Sequence, residues 1–279
     1  MKPRPFNYIR PDTVEEAVAL LTEYGDDARV LAGGQSLVPM LNLRLIETDA
    51  LIDISQIAAL DVISDRGDKI EIGAAVTQNK LLAWPQLAEK LPLVAAALPH
   101  VGHFQTRNKG TVCGSIAHAD PSSELPLAIT LLGGEIVLKS KRGERVLAAA
   151  DFHKDMLTTA RGPDELIASV RFPAGRGAGK GGGVAFREVA RRHGDFAIIA
   201  VAAVAEDKDV RLGVGGMAGR PMVRRIATDQ AAKAIVNTIA AWVDELEGYE
   251  DLHASAAMRR DLLRNLAPRV VEEAIRCAA

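Results

Sequence analysis

Two cysteines in 279 residues, Cys113 and Cys277, are too few for a disulfide framework, a structural zinc site or an iron–sulfur cluster held by this chain alone. Metal-centred redox chemistry would have to come from another chain. Long apolar runs are missing too. The longest, residues 196–205, is half a membrane span, and the opening "MKPRPFNYIRPDT" lacks the apolar core of a signal peptide. A cytoplasmic protein without a membrane span is expected. The formal charge is only −2, with acids and bases interspersed, so there is no electrostatic footprint for nucleic acid or an anionic membrane. No internal repeat, low-complexity segment or G-x-x-x-x-G-K-[ST] motif is present. What remains is an ordinary globular composition, long enough for roughly two domains.

Thr13 and Glu16 have capping-box spacing, and Val14, Ala17, Val18 and Leu21 share one helical face until Gly25. The short apolar "ARVLA" predicts a buried strand. "GGQS" then turns it into the helix "LVPMLNL", with Ser36 available as N-cap and Pro39 in the first turn. "ALIDIS" (50–55) and "KIEIGAAV" (69–76) predict strands, "QNKLLAW" and "LPLVAAAL" helices, and a further apolar helix runs to Leu132. "EIVLKSKRGERVLAAADF" predicts a hairpin turning at 141–143, and "DELIASVRFP" another strand. The glycine-rich residues 174–183 mark a domain boundary. Beyond it lie two predicted strands joined at 207–209, and the chain from Thr228 is helical, with an amphipathic "AAKAIVNTIAAWVDEL".

Three glycine motifs bear on function. "GVGGMA" (213–218) fits the dinucleotide pattern G-x-G-x-x-[GA], but Pro221 stands where the phosphate-binding helix should run and no acidic residue follows on a second strand. It reads as a tight turn at a strand end. "AGGQS" (32–36) and "TVCGS" (111–115) resemble each other, each with a glycine just before or near a serine and an apolar segment beyond. Their backbone N–H groups, with the hydroxyls of Ser36, Thr111 and Ser115, can form a concave donor site for a pyrophosphate, glycine leaving room where a Cβ would hold the oxygens away. Taken singly, either can equally be a strand-to-helix corner that needs positive φ.

Together, "AGGQSLVPMLNLRL" and "VGHFQTRNKGTVCGSIAHADPSSELPLA" resemble the FAD-binding medium subunit of the molybdenum hydroxylases, the family of carbon monoxide dehydrogenase, 4-hydroxybenzoyl-CoA reductase and xanthine dehydrogenase. The resemblance covers nearly the whole chain and includes "FREVARRHGDFAIIAVAA". It implies an α+β fold. A PCMH-type FAD-binding domain would span residues 1–176, with subdomains of about 1–55 and 56–176, and a C-terminal flavoprotein domain of a small antiparallel sheet plus helices would span 177–279. It also implies non-covalent FAD, with Ala32, Gly33, Gly34, Gln35 and Ser36 and Thr111, Val112, Cys113, Gly114 and Ser115 cradling the pyrophosphate. Val101 and Gly102 would pack near the adenosine end, and Glu124 would take a ribose or adenine hydrogen bond. Ile167 would make an apolar contact, Arg187 would stand near the flavin ring, and Phe196 would flank the isoalloxazine. Two departures stand out: Cys113-Gly114 replaces a frequent Gly-Gly, and Phe196 lacks the hydroxyl of the tyrosine often found there.

By the same resemblance, the chain would be an electron-transfer subunit. Its FAD would stand between two [2Fe–2S] clusters on a small iron–sulfur subunit and an external acceptor, while a large subunit carries the molybdopterin cofactor and substrate pocket, the whole forming a dimer of heterotrimers. The flavin carries the redox chemistry, so no catalytic acid or base is required here. Two alternatives stand beside this reading. A free-standing FAD-dependent oxidoreductase would need catalytic His, Tyr or Ser in a substrate domain, and the last hundred residues offer little of that kind; a nucleotide-binding scaffold would only assemble its partners. His103 and His118 flank the second motif and can reach phosphate or serve the loop. His100, His153, His193 and His253 show no metal-ligand pattern and are expected at the surface; Cys113 reads as a buried small residue, and Arg191 and Arg192 as a solvated face.

Overall fold

The computed structural model describes residues 2–179, 181–229 and 231–278. Its first sheet is small and parallel, with β1 (Asn7–Ile9) and β2 (Ala28–Leu31) flanking β3 (Ala50–Asp53). Between β1 and β2 runs the helix Val14–Tyr24, whose Val14, Ala17, Val18 and Leu21 are buried as their spacing predicts. Thr13 Oγ1 accepts from the Glu16 amide at 3.1 Å, but the Glu16 carboxylate accepts from the amide of Asp12, one residue earlier than a reciprocal box requires. The helix Leu37–Asn42 follows β2, and Ser36 makes no side-chain cap for it.

The second sheet is antiparallel, in the order β4 (Ile63–Asp65), β5 (Lys69–Gly73), β10 (Leu166–Pro173), β6 (Glu135–Ser140), β7 (Gly143–Ala148). A two-stranded piece, β8 (His153–Asp155) with β9 (Thr158–Thr159), precedes β10. His153, expected at the surface, is buried, its ring nitrogens 3.2 and 3.3 Å from the carbonyls of Ala149 and Ile116. One ring nitrogen donates to a backbone carbonyl, which gives an imidazole a place in this core, while in the neutral ring the other nitrogen has no proton to offer the second carbonyl.

The third sheet is an antiparallel meander of β11 (Gly182–Val189), β12 (Ile199–Glu206), β13 (Asp209–Gly215) and β14 (Met222–Ala227). β14 falls just before the expected helical region and interrupts the sequence reading. β12 is apolar without alternation because both of its faces are covered. Ala200, Ala202 and Val204 pack into the core of the first two sheets, while Ile199, Val201, Ala203 and Ala205 join a second core with the helices Ala232–Glu245 and Ala256–Ala278. The element between the cores is the helix Glu124–Leu132, every residue of which is buried. A Cβ at Gly213 would come within 3.0 Å of Leu127, so the glycines of "GVGGMA" let this helix approach the sheet. Gly216 makes the turn at φ +82°.

Arg259 pins that turn. It is fully buried, its Nη1 donating to the Gly216 carbonyl at 2.9 Å and to Ile198 O, its Nη2 to Asp251 at 2.6 Å, and its Cζ lies 4.1 Å from the centre of the Tyr249 ring. Arg259→Ala removes the donor from two buried carbonyls and the partner from Asp251, and should lower stability by about 3–5 kcal/mol. Urea unfolding followed by tryptophan fluorescence measures this.

Candidate functional site

A cavity of about 750 Å³ lies where the two glycine motifs, the 101–106 loop, the start of β10 and the 194–196 loop converge. Its first wall is the turn after β2. Gly34 takes φ +69°, and the amides of Gly33, Gly34, Gln35 and Ser36 find no acceptor among the described residues. Four consecutive unclaimed donors facing one cavity form an anion-binding concavity.

The facing wall is the helix Val112–His118. Thr111–Ser115 is therefore not a strand-to-helix corner but a helix N-terminus, preceded by the short helix Phe104–Arg107. Thr111 Oγ1 accepts from the Gly114 amide at 2.9 Å, Thr111 O from Ser115 at 3.2 Å, and Val76 O from Val112 at 3.1 Å. These bonds leave the Cys113 amide and the Ser115 hydroxyl open to the cavity.

The glycines have a different first reason from the expected one. A Cβ on Gly33 would stand 2.0 Å from the Lys109 carbonyl oxygen, and one on Gly114 would stand 2.7 Å from Thr111 Oγ1. At Gly33 the protein's own backbone excludes a side chain before any ligand does, whereas at Gly114 the obstacle is the Thr111 hydroxyl, which can turn aside.

Ala32, Gly33, Gly34, Gln35, Ser36, Val101, Gly102, Thr111, Cys113, Gly114, Ser115, Glu124, Ile167 and Phe196 all line this cavity. Val112 does not; it is buried in the core behind it. Arg187 stands outside as well, paired with Glu273 at 2.8 Å in a separate cleft with Arg269 and Arg276. Phe196 is 58 % exposed and forms the cavity's edge. Cys113 is buried with its Sγ 3.5 Å from Ile72 O, and burial pushes its thiol up, keeping it neutral.

Glu124, the first residue of its helix, is only 4 % exposed. Burial pushes its carboxyl up to about 8, the neighbouring charges of Glu188 and Asp120 adding to the effect and a hydrogen bond from its own amide opposing it.

Two lining residues, Arg29 and Arg161, had no signal in the sequence, whereas His118 was marked by its place beside the second motif. Arg29 and Arg161 are anchored through Nη1, Arg29 to Asp26 O and Ala28 O, and Arg161 to Gly162 O and Glu165 O at 2.9 and 2.8 Å. Neither has a carboxylate in ion-pair contact among the described residues. His118 also lines the cavity, and burial lowers its imidazole below the usual range. Only tertiary contact brings these three together. His103 stays outside, its ring 6.5 Å from that of His193.

Residues 4–175 match the FAD-binding domain of molybdopterin dehydrogenases, and residues 184–274 match the CO dehydrogenase flavoprotein C-terminal domain. The chain is 40 % identical to the caffeine dehydrogenase subunit beta of Pseudomonas sp. (strain CBB1), over 75 % of this chain and 71 % of that protein. It is 34 % identical to the 6-hydroxypseudooxynicotine dehydrogenase complex subunit alpha of Paenarthrobacter nicotinovorans, over 99 % and 96 %. Its fold superposes on a chain of reconstituted CO dehydrogenase from Oligotropha carboxidovorans with a TM-score of 0.93 at 30 % identity, covering both chains fully. What the fold and these matches define is a FAD-binding flavoprotein subunit of a multi-subunit dehydrogenase. The chain belongs to the FAD-binding medium subunits of the molybdopterin dehydrogenases, the CO dehydrogenase medium-chain type.

Because a backbone atom rather than a flexible side chain opposes Gly33, Gly33→Ala should destabilise the chain by about 1–3 kcal/mol or more even without cofactor. Gly25→Ala meets no neighbour, so it carries only the strain of its positive φ. Paired thermal melts of the two variants distinguish these effects.

Proposed function

We propose that the cavity holds FAD without a covalent bond, and that the chain relays electrons between [2Fe–2S] clusters of a small iron–sulfur subunit and an external acceptor. A large subunit would carry the molybdopterin cofactor, and the assembly would be a cytoplasmic dimer of heterotrimers. The domain division that goes with this reading is 1–176 for FAD binding, in subdomains of about 1–55 and 56–176, and 177–279 for the C-terminal domain.

The observation that carries the proposal is the set of unclaimed amides at Gly33, Gly34, Gln35 and Ser36, opposite the unclaimed amide of Cys113, in one cavity large enough for a cofactor. Gly33, Gly34 and Ser36 are half-buried, Gln35 exposed and Cys113 buried; amides left open in such a concavity need water or a ligand, and a diphosphate satisfies several at once. The hydroxyls of Ser36, Thr111 and Ser115 stand beside them. Val101, Gly102 and Ile167 offer apolar surface to an adenosine, Glu124 a hydrogen-bonding group, and Phe196 an aromatic edge for a flavin ring. Bound FAD would supply the redox chemistry. The chain's own residues bind, orient and partly desolvate; no nucleophile or general acid–base pair is needed among them. Arg187, outside the cavity, serves the ion pair with Glu273.

Among the described residues, no group of three or more His, Cys, Asp or Glu side chains is placed to hold a metal ion, and no helix is long and apolar enough to cross a membrane. The proposal assigns the clusters and molybdenum to partner subunits.

Gly114→Asp places a carboxylate at the helix N-terminus that the diphosphate would use. Losing one or two hydrogen bonds to a charged group, at about 1.5–3 kcal/mol each, weakens FAD binding roughly tenfold to several-thousandfold. The variant complex should lose flavin while keeping its iron and molybdenum, measured by absorption and metal analysis. Dye-linked substrate oxidation upstream of the flavin should persist while transfer to the physiological acceptor falls. Full FAD occupancy at micromolar protein would contradict the diphosphate assignment.

A further inference from the structure

Strand β11 presents its residues alternately to two sides. Val184 and Phe186 pack on the first core, and Glu188 shares their face, opposite Ala200 of β12, which lies in that core. Glu188 is thereby carried in under the helix Pro92–Ala97, beside His100 and near enough to Glu124 to oppose its charge. Its side chain is 5 % exposed, and its Oε1 lies 3.3 Å from His100 Nδ1. Its Oε2 is buried with no hydrogen-bond partner among the described residues. Glu124 lines the cavity, and among the described residues no side chain is bonded to its carboxyl. Two buried carboxyls thus belong to different halves of the chain, and the charge of Glu188 acts on Glu124.

We propose that FAD is held with Glu124 in its neutral, hydrogen-donating form, and that Glu188 is the positioning residue that keeps it so. This rests on the reading of the cavity as the FAD site.

The surroundings favour the neutral acid. Asp120 from the preceding loop and Glu188 from β11 both oppose a charge on Glu124, and no cation is among the groups that act on it. His118 on the same wall is held below its usual range by burial, and His100, which faces Glu188, by burial and by His193. Arg269, Glu272, Glu273 and Arg276 face the cleft beside Glu188 from the C-terminal helix, with Arg187. Arg29 and Arg161 line the cavity from β2 and the loop before β10. Burial also pushes Glu188 up to about 7, so it is charged over the range in which Glu124 loses its proton.

The sign follows from linkage. A group whose protonated form binds the cofactor gives full affinity below its free value and loses it as pH rises above that value. With Glu124 near 8, FAD affinity should be flat to about pH 7.5 and then fall by up to tenfold per pH unit.

The test uses the purified complex, diluted across about pH 6.5–9.5, with released FAD read by its fluorescence. Wild type should show the alkaline release, Glu124→Gln should be flat, and Glu188→Gln should move the break to lower pH without abolishing retention at pH 6.5. Infrared spectra of the wild-type complex should show a protonated carboxylic acid band at neutral pH that fades over the same range, a readout that needs no variant. Flat wild-type release, an unchanged break in Glu124→Gln or a missing acid band overturns the proposal, and an unmoved break in Glu188→Gln overturns the role of Glu188. Absence of FAD at every pH would instead overturn the cofactor reading itself.

Discussion

The backbone of Gly33 lies directly on that of Lys109 and Gly110, and the site follows from that contact. It joins the small parallel sheet to the antiparallel one at the point where β2 ends and the helix Val112–His118 is about to begin. Thr77 bridges to Thr111, and the Gln78 amide donates to Gly110 O at 2.8 Å, fixing the second motif from behind. The first motif's amides must then point away from the protein that presses on them. Their lack of internal acceptors is a consequence of the packing. Backbone donors left open in a partly buried concavity require water or a ligand, and an anion offers acceptors to several at once.

A second contact completes the cavity from the far end of the chain. The alanines of β12 and the glycines of β13 let the helix Glu124–Leu132 lie close against the C-terminal sheet, and the same sheet carries Gly194, Asp195 and Phe196 to the cavity's edge. Small residues matter here because helix and sheet must meet without a cavity between them. The helix is apolar all round for the same reason as β12: neither has a face left to solvent. Glu124 and Thr130 are its polar residues, and Glu124, the first, is placed where buried apolar surface stops and the cavity starts.

Where local chemistry decided the structure, the sequence was informative. The Thr13 cap, the helix ending at Gly25, the hairpin around 141–143 and the β2–turn–helix unit all follow from short-range spacing. Contacts across long separations were not legible. His153 looked like a surface residue because its partners, Ala149 and Ile116, are carbonyls that any sequence could supply. Arg161 and Arg29 meet only after β10 and β2 are placed, and nothing in either neighbourhood marks them as cavity residues. The 187–188 pair is the clearest case. In a strand, neighbours point to opposite faces, so a one-residue difference separates an arginine bonded to the C-terminal helix from a carboxyl buried against the FAD-binding half. Resemblance named the strand, but only the register tells which residue turns inward.

Burial acts on the ionisable groups around the cavity in one consistent direction. The Cys113 thiol and the Glu124 carboxyl are pushed up and the His118 imidazole down, so each is held toward its uncharged form. Behind the wall, His153 is lowered by the same cause. The formal charges that remain on the wall are the guanidiniums of Arg29 and Arg161 and the carboxylate of Asp195, which is itself paired with Arg191 and Arg192. With neutral side chains elsewhere, the field inside is set by those two cations and by oriented amides at Gly33–Ser36 and Cys113. Fixed dipoles of this kind need no reorganisation when a charge arrives. A wall of that composition attracts an anionic ligand and offers few titrating groups to exchange protons with it, which suits a protein whose part is to hold a redox cofactor.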